Sequence, residues 1–409
     1  MQEVSFEEKP PLVGYDLPKL EMHVHGSLAA SHETFLKRQQ KGRTDVPVDF
    51  LFNPKLRYYE NLDQFHGTYE RIRKITRNQY ELAKVTQEYC ERIVKEGGIY
   101  AEISNSFRNA ADFEWQMEAI EEGIKAVKTL FPNFEASVVV TGLRSDGINL
   151  ATSGPVHAKE AADFLTRKHF PLVRAFGVVG PENGDSMADY RDAFHIAWNE
   201  AGLGLVPHVS EQFLHNFLDI MLALPKEAFD PANNDNRRLR FGHGTLLHTS
   251  SEAMRMVGAM GICLEVCLSA NKRIGLPFES RKLEIGDVIK GRTSDQTLTI
   301  DRPLRRYFND LSQHPLTMFM DMGIPVCLGS DNPLLMNTNI GKEYSLAVKA
   351  GLQEMDTLTL TENAIRFANT TADARQRMMK MLNDYRAIVA TGIRPDRTAL
   401  GFKYAYNRA

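Results

Sequence analysis

The chain has 409 residues, 25% of them charged, with a net charge of −3 and an isoelectric point near 6.5. With no block of basic residues, that balance argues against nucleic acid or an anionic membrane surface as the main partner. The four cysteines, Cys90, Cys263, Cys267 and Cys327, form no CxxC pair and fall mostly in apolar runs, as buried thiols of a reducing compartment do. No stretch reaches the roughly 18 apolar residues of a membrane span, and the N-terminus lacks the apolar core of a signal peptide, so a cytoplasmic location is expected.

Along the chain, short apolar or β-branched runs recur, each followed by a longer segment of helical period. In order they are KLEMHVHG (19–26), GIYAEISNSF (98–107), EASVVVTGLR (135–144), LVRAFGVVG (172–180), GLGLVPHVS (202–210), RLRFGHGT (238–245), GICLEVCLSAN (261–271) and GIPVCLGSDN (323–332). Candidate helices lie between them, including one long run over 61–97 and shorter ones over 157–170, 186–202 and 251–261. Such alternation predicts parallel strands with right-handed crossovers, and eight units close into an α/β (β/α)8 TIM barrel. A doubly wound open sheet is the alternative, but no GxGxxG follows the first strand. One domain over 1–409 is the economical reading, with N- and C-terminal appendages and a polar insertion at 272–303, after strand 7, as a candidate lid.

In the first run, period-2 alternation sets Leu20, Met22 and Val24 on one face and Glu21, His23 and His25 on the other. Two imidazoles on one strand face can ligate a single divalent metal, although an isolated HxH is as readily a pair of structural histidines. More polar groups gather at the other strand ends, where barrel enzymes hold their catalytic residues. Gly180-Pro181-Glu182 ends strand 4; His208 and Glu211 end strand 5; His243 ends strand 6; Ser269 and Asn271 end strand 7; Asp331 and Asn332 end strand 8. Each alone has a plain structural reading, Asp-Asn-Pro being an ordinary turn signal. Four histidines and an aspartate at one rim together point to a metal site.

These motifs, HVH, VVGPE, HVSE, FGHG and GSDNP, resemble in order those of the adenosine and AMP deaminase family within the metal-dependent amidohydrolases. LEVCLSAN, HPL at 314–316 and EY at 343–344 agree, and the likeness runs from about 17 to about 370. The resemblance implies one zinc per chain, held by His23, His25, His208 and Asp331 with a water or hydroxide in the remaining position. It implies hydrolytic deamination of an adenosine- or adenine-like substrate, a step in purine metabolism. Glu211, one helical turn after His208, would hold a proton for purine N1; His243 would orient the water and act as base or electrostatic stabiliser. Gly180 would offer a backbone group to N3, Asn332 would meet N7, and Asp331 would shuttle a proton as well as bind metal. A helix N-terminal carboxylate is the competing structural role for Glu211.

Two departures bear on substrate. Family members usually carry aspartate where this chain has Asn332, whose NH₂ can donate without a raised pKa. Many adenosine-specific members also have an acidic residue two positions after the second histidine, whereas here His25 runs into Gly26-Ser27. Plain adenosine is therefore not the expected preferred substrate. A phosphorylated one would want a basic residue near the rim, for which Arg108 and Lys272 are candidates. Amide hydrolysis by the same metal barrel, or a binding protein that keeps the pocket, are the competing readings.

Overall fold

The computed structural model describes residues 17–26, 29–47, 59, 62–76, 78–106, 110–144, 153–182, 185–230, 238–274 and 311–391, with four two-residue strand pieces between 276 and 306. Eight strands form the frame: β1 (Lys19–His25), β2 (Gly98–Ser106), β3 (Glu135–Leu143), β4 (Val173–Val179), β5 in two pieces (Gly204–Leu205 and His208–Val209), β6 (Arg240–His243), β7 (Cys263–Val266) and β8 (Val326–Leu328). Every neighbouring pair is parallel. They make a five-stranded sheet from β1 to the first piece of β5, and a four-stranded sheet from its second piece to β8.

Single parallel bridges join the two sheets at both seams, Leu205 to Leu239 and Val24 to Asp331, which closes the ring as a TIM barrel. The break in β5 falls at Val206-Pro207, because Pro207 has no N–H to give the ladder. Its carbonyl still accepts from Gly242, and the Val206 N–H donates to Phe176, so the register continues across the gap.

Two sequence expectations need correction. The 61–97 run is not one helix but two, Leu62–Ile72 and Gln79–Lys95. Asn78 starts the second by accepting the Glu81 N–H at 2.9 Å, a side-chain cap that favours a fresh start over continuation. The seventh strand is short: Leu268–Ile274 is helical, so Ser269 and Asn271 stand on a helix above the barrel rather than on a strand end. Of the 272–303 insertion, Lys272 to Ile274 finish that helix, and almost all the rest lies outside the described residues.

All seven residues of β1 are buried, the polar face included. Parallel barrel strands are covered on both sides, so the Lys19, Glu21, His23, His25 face looks into the barrel interior rather than at water. The main core packs the outer helices on the strands. A second, smaller apolar cluster covers the mouth, built from Phe35, Tyr59, Phe65, Ile72, Ile75 and Leu335 among others. At the opposite end, Ala368–Thr370, between helices Asp356–Phe367 and Ala372–Ala390, are buried under the floor. No helix among the described residues is long and apolar enough to cross a membrane.

Candidate active site

His23 is the centre of the site. Its side-chain ligand atoms fall into two groups, with His208 and His243 and with His25 and Asp331, each group within 4.8 Å. His23 belongs to both groups, so the four expected residues surround one region, although His208 groups with His243 and His25 with Asp331. Ring centroids lie 4.8 Å apart for His23 and His208, and 5.5 Å for His25 and His208. His25 Nε2 stands 3.3 Å from Asp331 Oδ1, and His23 Nε2 stands 3.7 Å from the same oxygen.

Small residues make the crowding possible. A Cβ on Gly242 would come within 2.9 Å of His23 Cε1 and 3.0 Å of His208 Cδ2. One on Gly329 would strike the His23 Cβ at 2.3 Å. The glycines of FGHG and GSD thus clear the space that the imidazoles fill. Ser210, His243 and Asp331 hold φ of 50°, 63° and 57°, a left-handed conformation that side chains resist and that active sites often retain.

Electrostatics favour metal-ready protonation states at His208, His243 and Asp331, whereas at His23 burial is outweighed by the acidic neighbours, Glu265 first, and the imidazole is shifted up. Burial and the neighbouring imidazoles push His208 well down, and burial beside His23 takes His243 to about 3, so both rings are neutral with a free lone pair. Burial works against the Asp331 charge, but His25, His243 and His23 together outweigh it and hold the carboxyl below the usual range. His23 Nδ1 lies 2.6 Å from Glu265 Oε2, whereas its buried Nε2 has no hydrogen-bond partner. A nitrogen in that state, ringed by neutral imidazoles and a carboxylate, fits a divalent cation such as zinc.

Glu211 faces this group with its Oε2 3.6 Å from His243 Nε2. It does not lie on a helix: β5 ends at Val209, and the next helix starts at Asn216. The Glu182 carboxylate instead gathers the turn, accepting the N–H groups of Glu211, Gln212 and Phe213 at 3.1, 2.9 and 2.9 Å. Burial first, then the charges of Asp331 and Glu182, push the Glu211 carboxyl well above its ordinary range, which favours its protonated form.

The cavity over these groups is lined by His25, His208, His243, Glu211, Asp331, Gly180 and Asn332, and on its outer side by Phe65, Tyr69, Glu70, Leu143 and Val179. Gly180 has φ 110°, open only to glycine. Asn332 precedes the short helix Pro333–Met336, yet its side chain makes no cap hydrogen bond, and its buried Oδ1 has no partner. That removes the plain turn reading for this side chain. Among the described lining residues none is Arg or Lys; Arg108 lies outside the described residues, and Lys272 stands on Leu268–Ile274.

Several site residues carry no motif. Phe65, Tyr69 and Glu70 come from helix Leu62–Ile72, which the sequence marks only by its apolar period. Arg144, fully buried at the end of β3, binds the carbonyls of Pro181 and His208 at 3.4 and 3.3 Å, tying the ends of β4 and β5 together. Glu265, by contrast, lies inside the LEVCLSAN stretch, but its alternation with Leu264 and Val266 does not mark it as a site residue.

Comparison with known proteins agrees with this geometry. The adenosine deaminase profile matches residues 18–282 and 304–385. An adenine deaminase of Sinorhizobium fredii is 25% identical over 374 residues, 90% of this chain and 98% of the relative. The crystal structure of an adenine deaminase from Arthrobacter aurescens superposes with a TM-score of 0.69 at 18% identity, covering 91% of this chain and 99% of that one. An amidohydrolase from Burkholderia ambifaria, solved with bound zinc, also has a TM-score of 0.69, at 16% identity and 93% coverage of each chain. With its profile matched over most of its length and its barrel shared with these structures, the chain belongs to the adenosine deaminase family.

Proposed function

We propose that the protein is a metal-dependent aminohydrolase that removes the 6-amino group of a purine and releases ammonia, acting on adenine or a related aminopurine in preference to adenosine. The observation that carries the reading is the meeting of Glu211, His25, His208, His243 and Asp331 around one cavity, with the buried His23 Nε2 behind them making no hydrogen bond. His23, His25, His208 and Asp331 would hold one zinc. Bound there, the ion supplies a water whose pKa falls from 15.7 toward about 7.

The protein's own groups do the rest. Glu211 delivers its proton to ring N1, so that the carbon bearing the amino group accepts attack. His243, neutral and 3.6 Å from Glu211, orients the attacking water and takes its proton. Asp331, held as a carboxylate, passes a proton on toward the departing amine. Gly180 lets the ring edge approach the backbone, and the Asn332 amide reads N7.

Support for a base without ribose comes from two places. The acidic residue that reaches a ribose hydroxyl is missing after His25, and a site without a partner for a hydroxyl leaves it unpaired. The curated relatives carry the name adenine deaminase. Ammonia release should be measured over adenine, adenosine, AMP and N6-substituted purines, with metal content determined on the same sample. The expected result is one zinc per chain and the highest kcat/KM on a non-ribosylated aminopurine. Adenosine as the best substrate would overturn the specificity, and full activity after exhaustive chelation would overturn the metal.

A further inference from the structure

Behind His23 the barrel interior holds charge where branched apolar side chains usually pack. Glu265 Oε2 meets His23 Nδ1 at 2.6 Å, and its other oxygen accepts from Arg240 Nε, also at 2.6 Å. Arg240 turns its remaining nitrogens down to Glu102, with Nη2 to Oε2 at 2.5 Å and Nη1 to Oε1 at 3.3 Å. The floor completes the row: Arg240 Nη1 donates to the Phe367 carbonyl at 2.6 Å, and the Asn369 N–H donates to Glu102 Oε1 at 2.6 Å. Glu102, Arg240 and Glu265 are all 0% exposed.

Burying two carboxylates and a guanidinium costs several kcal/mol per ion, and apolar residues of similar volume are often as stable or more so. Stability alone therefore gives a poor account of this row. Its upper end touches one group of the site, the Nδ1 of His23, and that contact leaves Nε2 facing the other ligands.

We infer that Glu265, Arg240 and Glu102 form an interior ion ladder that fixes the tautomer and ring orientation of His23, presenting Nε2 to a divalent cation, so that the floor segment Phe367–Asn369 bears on metal affinity. The three are positioning residues. Glu265 is the critical rung because its two oxygens serve two donors; an amide has one acceptor oxygen and must turn a donor toward either His23 or Arg240. Carboxylates behind ligating histidines raise ligand basicity and set orientation, and their loss typically costs about 10- to 100-fold in metal affinity.

The inference rests on the metal reading above, and its test separates the two. In the full-length protein stripped of metal, long-range proton–nitrogen NMR of ring-labelled histidine, assigned with His23→Gln, should place the His23 proton on Nδ1. A proton on Nε2, or an exchanging mixture, overturns the ladder whatever the enzyme acts on. Zinc affinity by chelator competition should fall about 10- to 100-fold in Glu265→Gln, and less in Glu102→Gln, in the same direction. Affinity unchanged in a folded Glu265→Gln overturns the inference. Should Glu265→Gln fail to fold, Glu102→Gln decides, since it keeps the size and one acceptor of the floor carboxylate; zinc affinity equal to the parent's then refutes the coupling. A parent that binds no zinc yet keeps His23 on Nδ1 would sink the metal reading and leave the ladder's geometry standing.

Discussion

The two ends of the barrel are built of opposite materials. Under the proposed metal ligands the interior is a row of buried ions with each charge matched at hydrogen-bond distance. Above them the mouth is closed by an apolar cluster in which residues from 30 to 75 meet Cys267, Ala270, Ile274 and Leu334–Met336. Ionic rows have few alternative arrangements, because one displaced partner leaves a bare charge; apolar contacts tolerate substitution of similar volume. On the function proposed above, the chemistry sits on the ionic end, and the apolar end meets the cavity through Phe65 and Tyr69.

That contrast can be tested in descending order of effect. His23→Ala or Asp331→Ala should remove both bound metal and measurable turnover, as read by elemental analysis and ammonia release. Either variant retaining turnover would detach the ionic end from the chemistry. Glu211→Gln keeps the shape of the acid without its proton and should lose about 10² to 10⁴ in kcat with metal content unchanged. Near-normal turnover would remove Glu211 from the reaction.

A third change acts on the fold itself. Arg240→Met strands Glu102 and Glu265 without their shared partner, and should destabilise by about 3–5 kcal/mol in chemical denaturation. At the mouth, Phe65→Leu should change KM by a few fold and leave metal content and kcat nearly intact, since it alters only apolar contact by a small volume. A lost metal in Phe65→Leu would erase the distinction between the two ends.

A separate effect, read as a slope and not as a loss of activity, is a pH dependence of stability. Glu343, which accepts from the Ser269 N–H and the Thr338 hydroxyl beside the mouth, is pushed up to about 7 by burial. Its folded-state pKa lies above the ordinary 4.5, so its contribution is full below pH 4.5 and declines as pH rises to about 7. The slope in that window is at most about 1.4 kcal/mol per pH unit. Glu343→Gln should flatten the profile between pH 4.5 and 7; a parallel curve would clear Glu343 of the effect.

Strand positions and the rim residues were legible in the sequence because each strand is an apolar run whose last residues turn polar. His23, His208, Glu211, His243 and Asp331 follow directly from that change. What was not legible is the polarity inside. The alternation of Glu21 with Leu20 and Met22 reads, in one chain, as a half-exposed strand, and only closure of the ring makes both faces interior. Glu102, Arg240 and Glu265 give the same period-2 signal, a single charge between apolar neighbours, and its meaning depends on partners that lie on other strands. Spacing also misled at Glu211, where HxxE looks like a helical turn although Ser210 at φ 50° and the Glu182 clamp hold a bent loop.

The seam between β1 and β8 has a consequence in time. There the His25 N–H donates to the Asp331 carbonyl and the Asp331 N–H to the His23 carbonyl, both at 2.8 Å, while Ser330 binds Glu21 from 309 residues away. Three of the proposed ligands are therefore the stitches of a closure between the first strand made and the last. During synthesis the first strand must wait, with its histidines unmatched, until nearly the whole chain has left the ribosome. Closing so distant a contact is slow, and an ion that binds the closed ring draws the equilibrium toward it. Scarcity of metal in the growing cell would then lower the yield of folded protein as well as its activity.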